Sequence, residues 1–574
     1  MIEIKRRVEP EDVPELPGGL HPVLKRVYAH RQISDANELD HSLSSLLSYK
    51  ELKGIDAATD LLVEALENQW RILIVGDFDT DGATSSTVAV QLLRTLGAQH
   101  VDFLVPNRFE YGYGLTPEIV EVAKQQQPDL IVTVDNGISS VEGVAAAKAQ
   151  GIKVLVTDHH LPGQQLPSAD AIVNPNQPGD NFPSKNMAGV GVIFYVMMAL
   201  RARLREQGWF EKQNINEPNL ANYLDLVALG TVADVVPLDH NNRILVAQGL
   251  ARIRAGKSCA GIKALLEIAG RKENNISATD LGFCVGPRLN AAGRLDDMSI
   301  GINCLLSETE SGAITIAKQL DQLNQERRSI ERGMQKEAFT QLEAMDLSEQ
   351  DLPVALCLYQ QDWHEGVIGI LASRVKDQWH RPVIAFANAG TGLIKGSARS
   401  VSGLHIRDAL DAVAAHHPGL ITKFGGHAMA AGLTLEEGDF EEFKQAFCTE
   451  VSRHLSVEDL TGRVYSDGEL AQTDLNLELA EQLRNAGPWG QGFPEPTFDG
   501  VFELVNKRIV GEKHLKMVLR PPGTEQLMDA IAFNTVDSEW PEQVDRVELA
   551  YRLDVNEFRG ARTAQLIVEL VTPV

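Results

Sequence analysis

The residues Gly76-Asp77-Phe78-Asp79-Thr80-Asp81-Gly82 follow an apolar run and precede the helical pattern ATSSTVAVQLLRTLG. In an extended segment side chains alternate, so Asp77, Asp79 and Asp81 would point the same way. Three carboxylates on one side repel unless cations sit among them. Helix capping needs a single acceptor and leaves two of the three unexplained. A calcium loop of EF-hand type would need an incoming helix and a final Glu, whereas the segment before Gly76 reads as a strand. Asp135, in TVDNG, ends the next candidate strand, and Asp158-His159-His160 ends the one after it. An isolated His pair is more often a surface or core feature. Behind an Asp at a strand end, beside two other acidic strand ends, it reads as a set of metal ligands. Asp234, in GTVADVVPL, is a fourth such carboxylate, although alone it would pass for a turn residue. Mixed carboxylate and imidazole donors suit manganese, and pure oxygen sites favour magnesium or calcium. The set suffices for two divalent ions, Mn2+ or Mg2+, which orient an attacking water, lower its pKa and stabilise the leaving oxygen of a phosphodiester. GxSxG is absent, and Cys357 in VALCLY reads as a buried strand residue, so nucleophilic catalysis has no candidate.

Elements that bring such residues together are legible around them. Between residues 72 and 236 the runs ILIVGDFD, VDFLVP, DLIVTVDNG, KVLVTDHH, DAIVNP and YLDLVALGTVADVV alternate with helical patterns. That alternation predicts a mostly parallel sheet with helices on both faces, whose ligand crevice lies beyond the carboxyl ends of the strands. Neither GxGxxG nor a Walker A pattern stands at a strand end, so nucleotide-cofactor readings lose their main support. Ile316, Leu320, Leu323, Ile330, Met334, Ala338 and Leu342 recur at helical spacing and predict a long connecting helix. A second α/β unit starts after Pro353, and from about Val464 short β-rich runs predict a small barrel of OB type. The expected division is an N-terminal extension (1–50), a catalytic domain (51–305), the connecting helix (306–350), a smaller α/β domain (351–458) and the barrel (459–574).

With 574 residues the chain exceeds one hydrophobic core, and 44% hydrophobic with 23% charged residues is ordinary for a globular protein. Five scattered cysteines without a CxxC pair suggest neither a disulfide framework nor a zinc knuckle. MIEIKRRVEP lacks a signal-peptide core, and the apolar stretch from Gly189 is too short to span a bilayer, so a cytoplasmic protein is expected. The net charge of −26 argues against coating nucleic acid by bulk electrostatics. A cleft that threads one strand needs only local Arg and Lys, with metals adding positive charge.

DFDTDG, VDNG, DHH and GTVADVVPL, in this order and spacing, resemble the motifs of the DHH phosphoesterase superfamily. GPRLNAAGR (286–294), Phe424-Gly425-Gly426-His427-Ala428, PWGQGFPEPTF and VNEFRGARTAQL extend the resemblance to the exonuclease branch of that superfamily, with its DHHA1 lobe, over nearly the whole chain. Many small DHH phosphoesterases carry a His four residues before the first Asp of their DxD pair, where this chain has Val75. The resemblance implies metal binding by Asp79, Asp81, Asp135, His159 and Asp234, with Asp77 in part of the missing histidine's role and Asp81 and Asp135 also catalytic. It makes His160 a catalytic residue near the scissile phosphate, and turns Ser397, Arg399 and His427 toward the metal cleft to hold DNA. Arg108 and Arg288 are candidates for gripping a phosphate, although each alone would be a surface ion-pair residue. Tyr111 and Tyr113 would either stack on bases or pack under their loop. Gly425 and Gly426 fit close backbone approach to a ligand or a tight turn. The implied activity is 5′-to-3′ hydrolysis of single-stranded DNA to 5′-mononucleotides in repair and recombination, by a monomer working beside a single-strand-binding protein and a repair helicase. A phosphodiesterase of cyclic dinucleotides or very short RNA, and a non-catalytic replication scaffold, are the alternatives.

Overall fold

In the computed structural model the described residues are all but 1, 9–15, 108–112, 345–352, 457, 512–513, 534, 536–543 and 559. Ile72–Val75, Leu130–Val134 and Lys153–Thr157 are built largely of β-branched and aliphatic residues and are buried on both faces, as central strands of a parallel sheet must be. They lie in a five-stranded sheet in the order Val101–Leu104, Ile72–Val75, Leu130–Val134, Lys153–Thr157, Ala171–Val173, with every neighbouring pair parallel. All five carboxyl ends therefore open on one edge.

The run YLDLVALGTVADVV is not a strand. Leu224–Ala233 form a helix, with Asp234 as its C-cap. Its residues Leu224 to Thr231 are buried, so the run is apolar throughout because the helix is covered on every side, and periodicity alone does not separate that from a buried strand. The predicted connecting helix spans Glu310–Glu343. Its apolar residues join two cores: Ala313, Ala317 and Leu320 pack with the catalytic lobe, and Met334, Ala338 and Leu342 with the second lobe. Between them the buried positions are polar. Arg327 and Glu331 pair along the helix, and Glu331 accepts a hydrogen bond from Arg374 of the second lobe at 3.0 Å.

The second lobe is a five-stranded sheet in the order Lys423–Gly426, Ala430–Glu436, Leu393–Arg399, Val383–Asn388, Leu356–Tyr359, of which only the last pair is parallel. Beyond it, Phe498–Val510, His514–Arg520, Met528–Ala532, Ala561–Pro573 and Arg546–Phe558 close into a barrel, as predicted. The barrel is no appendage. Phe498, Tyr551 and Leu566 belong to the same apolar core as the catalytic lobe, through Tyr28, Trp489 and Phe493. The N-terminal strand Ile2–Arg6 pairs in parallel with Gly462–Ser466, just ahead of the barrel, and Arg6 holds Asp499 of the first barrel strand at 2.6 Å. No helix among the described residues is long and apolar enough to cross a membrane.

Candidate active site

The strand ends place the site. Asp135 directly follows Leu130–Val134, and Asp158 to His160 directly follow Lys153–Thr157. Asn136 ties neighbouring ends together by donating its amide to the Val75 and Val134 carbonyls at 3.0 and 2.9 Å. The Asp77–Asp81 segment is not extended as the alternation argument assumed. Asp79 is the N-cap of the helix Thr80–Thr95 and accepts from the Gly82 N–H at 3.0 Å, while Asp81 sits in the first helical turn. Capping does not preclude ligation, because a cap uses one oxygen of a carboxylate and leaves the other. Both Asp81 oxygens accept backbone N–H groups, from Gly189 at 2.6 Å and Val190 at 2.9 Å, at the positive end of the helix Gly189–Glu206. A Cβ at Gly189 would meet the Asp135 side chain at 2.6 Å, and one at Gly230 would meet an Asp81 oxygen at 2.7 Å. These two glycines leave the space that the carboxylates fill.

Three overlapping groups have ligand atoms within 4.8 Å of one another: Asp77, Asp79 and Asp135; Asp81, His159 and Asp234; and Asp135, His159 and His160. His159 Nε2 lies 3.1 Å from Asp135 Oδ1 and 3.4 Å from Asp234 Oδ2. These three atoms are buried with no hydrogen-bond partner. Nε2 of His159, unpartnered and facing the two carboxylates, is the atom a metal would take. Burial, with His160 close by, holds His159 down to about 4, so the ring is neutral. Burial and then the Asp79 charge push Asp81 up to about 7, and burial and then Asp81 push Asp135 and Asp234 well above the usual carboxylate range. Crowded carboxylates facing an unpartnered imidazole nitrogen are the arrangement that divalent cations relieve, so the residues fit two such ions.

His160 is held differently. Its Nδ1 donates to Asp158 Oδ1 at 2.7 Å, and Asp158 also accepts the backbone N–H groups of Ile138, His159 and His160. Burial lowers the His160 pKa, but the Asp158 bond together with the charges of Asp158, Asp77 and Asp79 outweighs it and raises the ring to about 9. Tyr113 places its hydroxyl 3.2 Å from the Asp135 carbonyl and 3.3 Å from His160 Nε2, while its ring stays half-exposed. The loop position thus anchors the hydroxyl and leaves part of the ring open. His427 comes from the second lobe to lie against His160, ring centres 6.2 Å apart. Leu161, Val235 and Met429, one or two residues from His160, Asp234 and His427, are exposed, and Val235 takes φ +61°, which a β-branched residue rarely adopts.

Between the lobes runs a cleft of about 580 Å³, lined by Phe78 and Asp79 on one side, Lys395, Ser397, Arg399, Lys423 and Gly425 on the other, with Arg294 across from them. Ser397 and Arg399 therefore line it. Arg399 hydrogen-bonds Ser397 at 3.2 Å and pairs with no carboxylate among the described residues; burial lowers its pKa. Arg288 is a correction. Its guanidinium is buried against Asp321 of the long helix at 2.8 Å and the Cys284 carbonyl at 2.6 Å, so it braces two helices and has no donor turned to the cleft. The arginine of that motif in the cleft wall is Arg294, which also donates to the Gly366 carbonyl of the second lobe at 3.0 Å. The rest of GPRLNAAGR supports the loop that carries Asp77 to Asp81. Asn290 accepts from Thr80 N at 2.7 Å, and a Cβ at Gly293 would sit 1.8 Å from the Phe78 carbonyl. Gly426, at φ +143°, makes the tight turn, whereas a Cβ on Gly425 would meet nothing within 4 Å. Arg108 and Tyr111 lie outside the described residues. Sequence reasoning passed over Asp158, Asn290 and Arg294 as site residues; only the position of Asp158 before the His pair offered a signal.

A model of the DHH family N-terminal domain matches residues 71–231, the DHHA1 domain matches 352–453, and the RecJ OB domain matches 466–570. The single-stranded-DNA-specific exonuclease RecJ of Escherichia coli is 54% identical over 574 residues, covering 100% of this chain and 99% of its own. The protein of the same name from Thermus thermophilus is 33% identical, over 94% of this chain and 73% of its own. The crystal structure of RecJ from that organism in complex with Mn2+ superposes with a TM-score of 0.78 at 31% identity, covering 97% of this chain and 76% of that one. The Mg2+ complex gives a TM-score of 0.73 at 29% identity, over 96% and 74% of the two chains. With full-length identity of this order and all three domains matched in sequence, the chain belongs to the RecJ family.

Proposed function

We propose that this chain is a metal-dependent exonuclease that hydrolyses single-stranded DNA from the 5′ end to 5′-mononucleotides, in DNA repair and recombination. The observation that carries the reading is the single cleft that joins Asp79, at the metal side, to the cationic sheet of Ser397 and Arg399. Asp77, Asp79, Asp81, Asp135, His159 and Asp234 would hold two divalent ions, which supply an activated water and neutralise charge developing on the phosphodiester. The chain's own groups do the rest. The terminal 5′-phosphate lies on Ser397 and Arg399, with Arg294 opposite. His160, fixed through Nδ1 by Asp158 and with Nε2 3.3 Å from the Tyr113 hydroxyl, would be the group that stabilises the scissile phosphate and passes a proton to the departing 3′-oxygen. Breaking the bond between phosphorus and that 3′-oxygen frees a 5′-mononucleotide and leaves a new 5′-phosphate on the shortened strand. Each cycle thereby regenerates the group that the arginines read. We further propose that it works as a cytoplasmic monomer beside a single-strand-binding protein and a repair helicase.

Single-stranded oligonucleotides labelled at either end, incubated with the protein and Mn2+ or Mg2+, test the reading. Labelled mononucleotide should appear at once from the 5′-labelled strand and only at the end from the 3′-labelled one. The reverse order would overturn the polarity, and no release from either would overturn the activity.

A further inference from the structure

The sheet of the second lobe repeats its polar residues in rows. Register pairs Ser397 with Gly432 and Gly432 with Gly425, and two residues further on it pairs Lys395 with Thr434 and Thr434 with Lys423. Side chains two apart on a strand share a face, and all six of these residues line the one cleft. The rows have a direction. Arg399, opposite Ala430, marks the end near the metals, because His427 bonds Ala430 at 2.8 Å and lies on His160. The Ser397 row follows, and the Lys395 row lies roughly 7 Å beyond it at about 3.4 Å per residue. In the Ser397 row itself Gly425 and Gly432 leave the floor bare, with nothing closer than 3.9 Å to an added Cβ on either.

Charge in the far row has no function in the reading above. Lys395 is matched by Glu365 at 2.5 Å, while Lys423 has no carboxylate partner among the described residues. On the second-lobe wall Lys395, Arg399 and Lys423 set three cations against the one carboxylate of Glu365. A terminal monophosphate brings about two negative charges at most and occupies the Ser397 row. A sugar and base bring none, and Phe78 on the opposite wall offers them an apolar surface.

We propose that the Lys395–Thr434–Lys423 row is a second anion subsite that receives the outer phosphates of a 5′-polyphosphate end. This rests on the 5′-end reading of the Ser397–Arg399 row. Strands begun de novo from a nucleoside triphosphate carry such an end, and the subsite lets the enzyme seat one without prior trimming to a monophosphate. The same chemistry is offered by a free nucleoside triphosphate, which would then compete for the cleft.

Binding is measured at equilibrium without divalent metal, since polyphosphates chelate metals and hydrolysis must not intervene. Fluorescently labelled oligodeoxynucleotides of one sequence, with 5′-hydroxyl, 5′-monophosphate or 5′-triphosphate ends, are titrated with the wild-type protein and with a Lys395→Gln, Lys423→Gln double variant. The expected result is that the wild type binds the triphosphate at least fivefold tighter than the monophosphate. The double variant should lose that gain and keep the preference for monophosphate over hydroxyl. Displacement by dATP well below the concentration needed for dAMP would identify the free nucleotide as a ligand too; equal displacement, with the triphosphate strand still favoured, would assign the subsite to strand ends. A triphosphate bound no tighter than the monophosphate by the wild type, or a gain that survives in the double variant, overturns the subsite. A monophosphate bound no tighter than a hydroxyl overturns instead the 5′-end reading beneath it.

Discussion

Asp135→Ala is expected to abolish hydrolysis, by at least about a thousandfold, while the protein stays folded. Asp135 occurs in two of the three ligand groups, and its Oδ1 is buried without a hydrogen-bond partner. Its removal deprives the centre of a shared ligand, and the rate given up is that of an activated water and a stabilised leaving oxygen, several kcal/mol at about 1.4 kcal/mol per tenfold. Stability should hardly change in the metal-free protein, since the deleted carboxylate is crowded by Asp81, Asp79 and Asp234. Asp81→Ala makes a poorer test than Asp135→Ala. Asp81 caps the helix Gly189–Glu206 through two backbone N–H groups, so its loss also costs about 1 kcal/mol of folding free energy. Single-turnover cleavage of a 5′-phosphorylated strand with Mn2+, beside circular dichroism of both proteins, checks the prediction. A folded Asp135→Ala with near-wild-type rate would remove the centre from the account.

Arg399→Ala should slow cleavage of 5′-phosphorylated strands roughly ten- to a hundredfold and that of 5′-hydroxyl strands far less. A terminal phosphate differs from the internal diesters in its additional charge and in being unbridged on one side, and a guanidinium can read both. One such contact made in the transition state is worth about 1.5–3 kcal/mol, which gives that range. Arg399 is suited to it because burial already lowers its pKa and no carboxylate among the described residues competes for it. Arg288→Ala, by contrast, breaks a brace between helices and should lower stability with no selectivity between ends. Matched 5′-phosphate and 5′-hydroxyl oligonucleotides under single turnover separate the two; equal slowing of both by Arg399→Ala would make it a general strand-holding group.

The cluster of carboxylates and histidines was legible because parallel strands bring their ends together whatever lies between them, and Asp135 and Asp158 to His160 stand at such ends. Asp81 and Asp234 converge by other means, one in a first helical turn and one at a helix C-cap, so the strand geometry offered for them does not hold even though both reach the same cluster. Arg288 misled because an arginine in a glycine-rich motif looks the same in one dimension whether it meets a phosphate or an aspartate. Asp321, its partner, is 33 residues away on the long helix, and only the packing of that helix selects between Arg288 and Arg294. The barrel was visible in alternating short runs. Its fusion with the catalytic core was not, since Tyr28 and Phe493 meet only in the folded chain.

Counting bound metal tests the centre most directly. Mn2+ is titrated into the metal-free protein at neutral pH, with free ion followed by electron paramagnetic resonance. The account predicts two ions bound per chain in the wild type and no more than one in Asp135→Ala and in His159→Ala, whose Nε2 is aimed at Asp135 and Asp234. The same number bound by all three proteins would contradict it.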